Sequence, residues 1–123
     1  MLVGTVVAES LRVEAPLDVA GLTLVRLQRR DASASATAGQ PSVWTFVDFA
    51  APDELADELA DALARSLLAE GGWYASFTVG DEHFVVFAAR VFRHRRGDRV
   101  RRAEIEQYAD EVGVPRHQMD WGE

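Results

Sequence analysis

Two charged residues stand inside otherwise apolar runs. Asp48 follows Val43-Trp44-Thr45-Phe46-Val47, and Arg90 follows His83-Phe84-Val85-Val86-Phe87-Ala88-Ala89. Side chains alternate along a strand, so Asp48 shares a face with Trp44 and Phe46, and Arg90 shares one with Phe84, Val86 and Phe92. A charge removed from water without a partner is costly. If both residues project from one open face, they would pair with each other or clamp a ligand. Tyr74 and His83 would complete such a site, a phenol and an imidazole able to hold a small polar molecule, while Phe92 would serve an apolar partner. The plainer reading puts each charge at a strand end, in water.

Other chemistry is sparse. The three histidines, His83, His94 and His117, show neither the i, i+4 helical spacing nor the His-x-His pattern of a metal site. There is no Gly-x-Ser-x-Gly, no phosphate-binding loop and no Gly-x-Gly-x-x-Gly. No catalytic residue, cofactor or metal is expected, and the chain leans away from catalysis. All thirteen basic residues are arginine, and seven of them (Arg90, Arg93, Arg95, Arg96, Arg99, Arg101, Arg102) crowd residues 90–102. Arginines beside a phenylalanine-rich strand suit single-stranded bases stacked on aromatic rings. The glycines of the RNP1 pattern are missing, however, and the flanking segments are acidic.

The 123 residues amount to one domain, 48% hydrophobic and 27% charged, with a net charge of −7. That balance excludes a disordered chain and disfavours long-range attraction of nucleic acid. Absence of cysteine excludes disulfides and thiolate chemistry, and it suits a reducing compartment, so a cytoplasmic location is expected. No apolar run has the length of a membrane span.

Leu2–Ala8, Leu22–Gln28 and Val43–Phe49 read as strands. Ala32 to Pro41 is mostly alanine, serine, threonine and glycine and reads as a mobile loop. Pro52-Asp53-Glu54 opens a helix whose Leu55, Leu59, Leu63 and Leu67 form one apolar stripe, and Gly71-Gly72 would end it. Trp73–Val79 and His83–Phe92 make a hairpin about a turn at Gly80–Glu82. Asp98 caps a second helix that Gly113 stops, and Met119 and Trp121 would dock the tail. The order β-β-β-α-β-β-α predicts an α+β two-layer sandwich, a mainly antiparallel sheet with two helices on one face, as a variant of the ferredoxin-like plait.

The hairpin Trp73-Tyr74-x-x-Phe77 and Phe84-Val85-Val86-Phe87-x-x-x-Val91-Phe92-Arg93, with the tail Gly113-Val114-Pro115-x-x-Gln118-Met119-Asp120-Trp121, resembles a group of small bacterial proteins of uncharacterised function. The resemblance covers roughly the last fifty residues and implies a fold, with no activity or cofactor. Two helices cover only one sheet face. The favoured functional reading is therefore a non-catalytic interaction domain, a homodimer formed through the open sheet face or an edge strand. The alternative is a small-molecule-binding protein or enzyme with its site on that face, and the third is single-stranded nucleic-acid binding through the arginines.

Overall fold

Residues 1–122 are described by a computed structural model. Strands β1 (Leu2–Val7), β2 (Thr23–Asp31) and β3 (Val43–Ala51) precede helix α1 (Ala56–Ser66). Strands β4 (Ala75–Val79), β5 (Glu82–Phe87) and β6 (Arg90–Arg95) and helix α2 (Arg99–Glu111) follow. The six strands form one sheet in the order β2-β3-β1-β4-β5-β6, with every neighbouring pair antiparallel. No helix among the described residues is long and apolar enough to cross a membrane.

The chain is thus α+β with an antiparallel sheet and two helices, but its strand order departs from the ferredoxin-like plait. β1 lies between β3 and β4 and is antiparallel to both, so those two run parallel and α1 carries the chain across β1. The link from β1 to β2 likewise passes β3, so the chain makes two crossovers, and among the described residues no strand follows α2.

The register sorts the side chains into two faces. On one face, Leu2, Phe49, Phe77, Phe84 and Val86 pack against Leu59, Leu63 and Leu67, the stripe expected of the first helix. On the other, Val85, Phe87 and Phe92 pack against Ile105 and Ala109 of α2 and against Met119 and Trp121 of the tail. The helices therefore lie on opposite faces, which corrects the expectation that they share one. β5 is the cause: it is apolar on both sides and needs cover from both. Over β1, β3 and β2 the second face has no helix, and the arrangement there is two-layered.

Two boundaries also differ. The run His83–Phe92 divides into β5 and β6 at a tight turn through Ala88 and Ala89, where Ala89 takes φ 60°. No glycine or asparagine marks that turn in the sequence. Helix α1 stops at Ser66, before the glycines, because Leu67 turns extended and bridges Leu11. Leu68 N–H then donates to the Ser10 carbonyl and Arg12 N–H to that of Ser66, both at 2.8 Å. The second helix begins as expected, with the Asp98 side chain accepting from Arg101 N–H.

Gly4 sits at the centre of β1, opposite Phe49 on one side and Phe77 on the other. A Cβ there would meet Phe77 Cβ and the Ser76 carbonyl, leaving no room for a methyl group. Gly4→Ala is expected to cost about 1–3 kcal/mol by overpacking. That corresponds to a fall in melting temperature of roughly 4–12 °C. A thermal melt identical to wild type would show that the strands do not approach so closely.

Candidate functional site

The five residues proposed from sequence are dispersed. Asp48 projects to the face away from α1, where it accepts from Thr5 Oγ1 at 2.7 Å and from Arg26 Nε at 2.8 Å. Its partner is Arg26 and not Arg90. Four strand-to-strand steps separate β3 from β6, about 19 Å at the usual spacing. Arg90 instead lies over the rings of Phe92 and Tyr108, 4.6 and 5.1 Å from their centres. Phe92 is buried beneath α2 and is unavailable to a partner. His83 is buried too, its ring 5.2 Å from that of His94 and its Nδ1 3.0 Å from Thr78 Oγ1. Burial, then the neighbouring His94, Arg96 and Arg102, hold the His83 imidazole below its ordinary pKa. No group of three potential metal-binding side chains occurs among the described residues.

Two of the five line open cavities: Arg90 borders a depression beside Asp61 and Arg65 of α1, and Tyr74 borders a cleft on the other sheet face. Where α2 and the tail end, the uncovered half of the face forms a cleft of about 370 Å³. Thr5, Phe46 and Ser76 contribute to its floor from three adjacent strands, and Arg30 joins them from β2. Tyr74, His117 and Gln118 line the tail side. Trp44 and Trp73, edge to face at 5.3 Å, stand behind it.

The walls are tied together. The segment over 32–41, expected to be mobile, contributes a buried Gln40 whose Nε2 donates to the Gly71 carbonyl at 2.8 Å. Gln118 Nε2 donates to Gln40 Oε1 at 3.0 Å and to the Ser35 carbonyl at 2.8 Å. His117 Nε2 donates to the same carbonyl, also at 2.8 Å. The Tyr74 hydroxyl sits between the Gln118 carbonyl (2.5 Å) and Asp120 Oδ1 (2.6 Å). Burial, reinforced by the Asp120 carboxylate, drives its pKa far up, so it remains a neutral phenol.

Charge within the cleft is unbalanced in one respect. Arg30 lies over the Phe46 ring at 5.6 Å and takes part in no ion pair among the described residues, whereas Arg26 beside it is paired to Asp48. Three of the seven clustered arginines are occupied elsewhere. Arg93 pairs with Glu82 and Arg101 with Glu104, while Arg102 donates to the carbonyls of Met119, Trp121 and Gly122. The phenylalanines beside that cluster, Phe84, Phe87 and Phe92, are buried and present no ring to a base.

Sequence reasoning missed Arg30, Phe46 and Gln118. Phe46 was within reach, since it alternates in phase with Asp48. Arg30 lay beyond the expected strand end at Gln28, and Gln118 acquires its role only through a contact 78 residues away.

The Thr5 hydroxyl, and after it the Arg26 guanidinium, hold the Asp48 carboxyl below the usual aspartate range. A depressed native pKa contributes stability that is present above the unfolded value and lost as pH falls through the folded one. Wild type should therefore exceed Asp48→Asn in stability at pH ~7, with the gap closing below pH ~4. Urea titrations at both pH values test this, and an equal gap at each would mean the carboxylate is not its source. Compared with protein families, curated proteins and solved structures, the chain matches none, so its function has to be argued from this geometry alone.

Proposed function

We propose that this chain is a non-catalytic interaction domain that forms a homodimer, pairing β2 with the β2 of a second copy. The observation that carries the reading is the state of that strand. β2 ends the sheet, all nine of its residues are exposed, and Leu24, Val25 and Leu27 stand 60, 63 and 60% accessible. A long edge strand bearing apolar side chains is a template for another strand, and proteins that remain single blunt such edges. The opposite edge is shorter: β6 has six residues, of which three (Arg90, Arg93 and Arg95) are arginine. The sheet face first expected to form the interface is half closed by α2 and the tail and half concave, which moves the contact to the edge.

Charge selects a register. β2 holds Arg26, Arg29 and Arg30 against Asp31. An antiparallel pairing centred on Gln28 would set Arg26 opposite Arg30 of the second copy, and like charges directly opposed are unfavourable. Centring on Leu27 sets leucine against leucine and Arg26 against Gln28. Such two-fold self-pairing closes on itself and does not propagate. Having no cysteine, the dimer would work unchanged in the reducing cytoplasm the sequence favours.

Light scattering across a concentration series should find particles of twice 13.6 kDa. Their fraction should rise with salt, because each copy carries −7 and screening weakens the repulsion. Leu27→Lys, at an exposed position, should shift the midpoint to at least roughly tenfold higher concentration by placing two charges at the centre of the pairing. A particle of single-chain mass at every concentration would overturn the reading.

A further inference from the structure

We propose that the cleft beside Arg30 is a binding site for a small, planar, heteroaromatic monocarboxylate. The carboxylate pairs with Arg30, the ring lies along Phe46, and a ring N–H donates to Thr5 Oγ1. This site is separate from the dimer edge: it uses side chains on the sheet face, whereas the pairing uses the outer backbone of β2.

Each part of the ligand answers a group in the cleft. Arg30 is the cleft's one cation free of ion pairs among the described residues, and its planar fork suits a carboxylate, which it meets through two parallel hydrogen bonds. Its place over the Phe46 ring indicates a flat body for the ligand, since a ring bonded to that carboxylate would come to rest against the same aromatic surface. The volume of about 370 Å³ lies at the small end of ligand sites, enough for one or two fused rings.

The remaining polar groups narrow the class further. Asp31 and Asp120 also line the cleft and oppose any anion, so a single carboxylate is admitted only in direct contact with Arg30, and a nucleotide or other polyanion would be repelled. Their own hydrogen-bonding is partly spent, Asp31 Oδ1 on the Ser33 N–H and Asp120 Oδ1 on the Tyr74 hydroxyl. The Thr5 hydroxyl gives its proton to Asp48 Oδ1 and so offers the floor only lone pairs. It will accept from a ring N–H and has no proton to give a ligand carbonyl. Gln118 and His117 direct their donors to the Ser35 carbonyl, so they fix the wall and leave Arg30 to choose the anion.

Calorimetric titration of the full chain with indole-3-carboxylate, indole and acetate tests each element. Indole-3-carboxylate should bind saturably, indole at least tenfold more weakly, and acetate not measurably. Arg30→Gln should bring indole-3-carboxylate down to the affinity of indole and leave indole unchanged. Arg30→Lys, which keeps the charge and loses the fork, should fall between. Arg30 is exposed, so both variants should melt as wild type does, and light scattering of the same samples separates this site from the dimer edge. Equal affinity for indole and its carboxylate, indifference to Arg30→Gln, or no binding of indole-3-carboxylate at millimolar concentration would overturn the proposal.

Discussion

Strand β5 buries Phe84 and Val86 toward one side of the sheet and Val85 and Phe87 toward the other. An antiparallel strand with one wet face needs a single helix to cover it, whereas a strand apolar on both faces must be enclosed. That requirement distributes the rest of the chain. Helix α1 supplies one cover through Leu59 and Leu63, and α2 with Met119 and Trp121 supplies the other. These are the two α-helices among the described residues, and enclosing β5 uses both. The far half of the sheet is left with one bare face and an uncovered edge.

The bare half does not stay flat, because the tail borders it before docking over β5. Gln118 lies between the second-face contacts Val114 and Met119 and meets Gln40 from a segment 78 positions away. A buried amide must find partners for both its oxygen and its nitrogen, so the two side chains fix each other, and with them the separation of the cleft walls. The Tyr74 hydroxyl closes the same wall from the residue just before β4. The packing demand on β5 thus becomes a cavity on β1 and β3, and polar satisfaction gives that cavity its shape.

Much of this was legible in the sequence where the signal is local. The leucine stripe of α1, the Asp98 cap, the stop at Gly113 and the docking of Met119 and Trp121 all follow from periodicity and capping chemistry. What escaped depends on contacts between distant segments. Ala89 takes a left-handed turn that alanine does not advertise, which made β5 and β6 look like one strand. Leu67 leaves the helix because Leu11 is there to meet it, a pairing invisible to helical periodicity. Asp48 stood out as a charge in an apolar run, but its partner Arg26 comes into line only after an irregularity between Leu24 and Arg26 shifts the register of β2 against β3. The faces of the helices were misassigned for a similar reason: an apolar pattern on both sides of β5 states that cover is needed without stating which helix provides which.

β2 stands at the meeting of the two proposals, and its geometry keeps them compatible. A strand's backbone groups point along the sheet while its side chains point across it, so edge and face are independent resources. Antiparallel pairing of β2 with its copy places the two-fold axis perpendicular to the sheet. An axis in that direction leaves the same face of both copies on the same side. Six strands from each copy would then form one continuous sheet, with both clefts opening together and each Arg30 one strand from its floor partner Phe46. An interface through the sheet face would bury the cleft that the tail has shaped. Pairing at the edge leaves it open, and it sets Leu27 of one copy against Leu27 of the other.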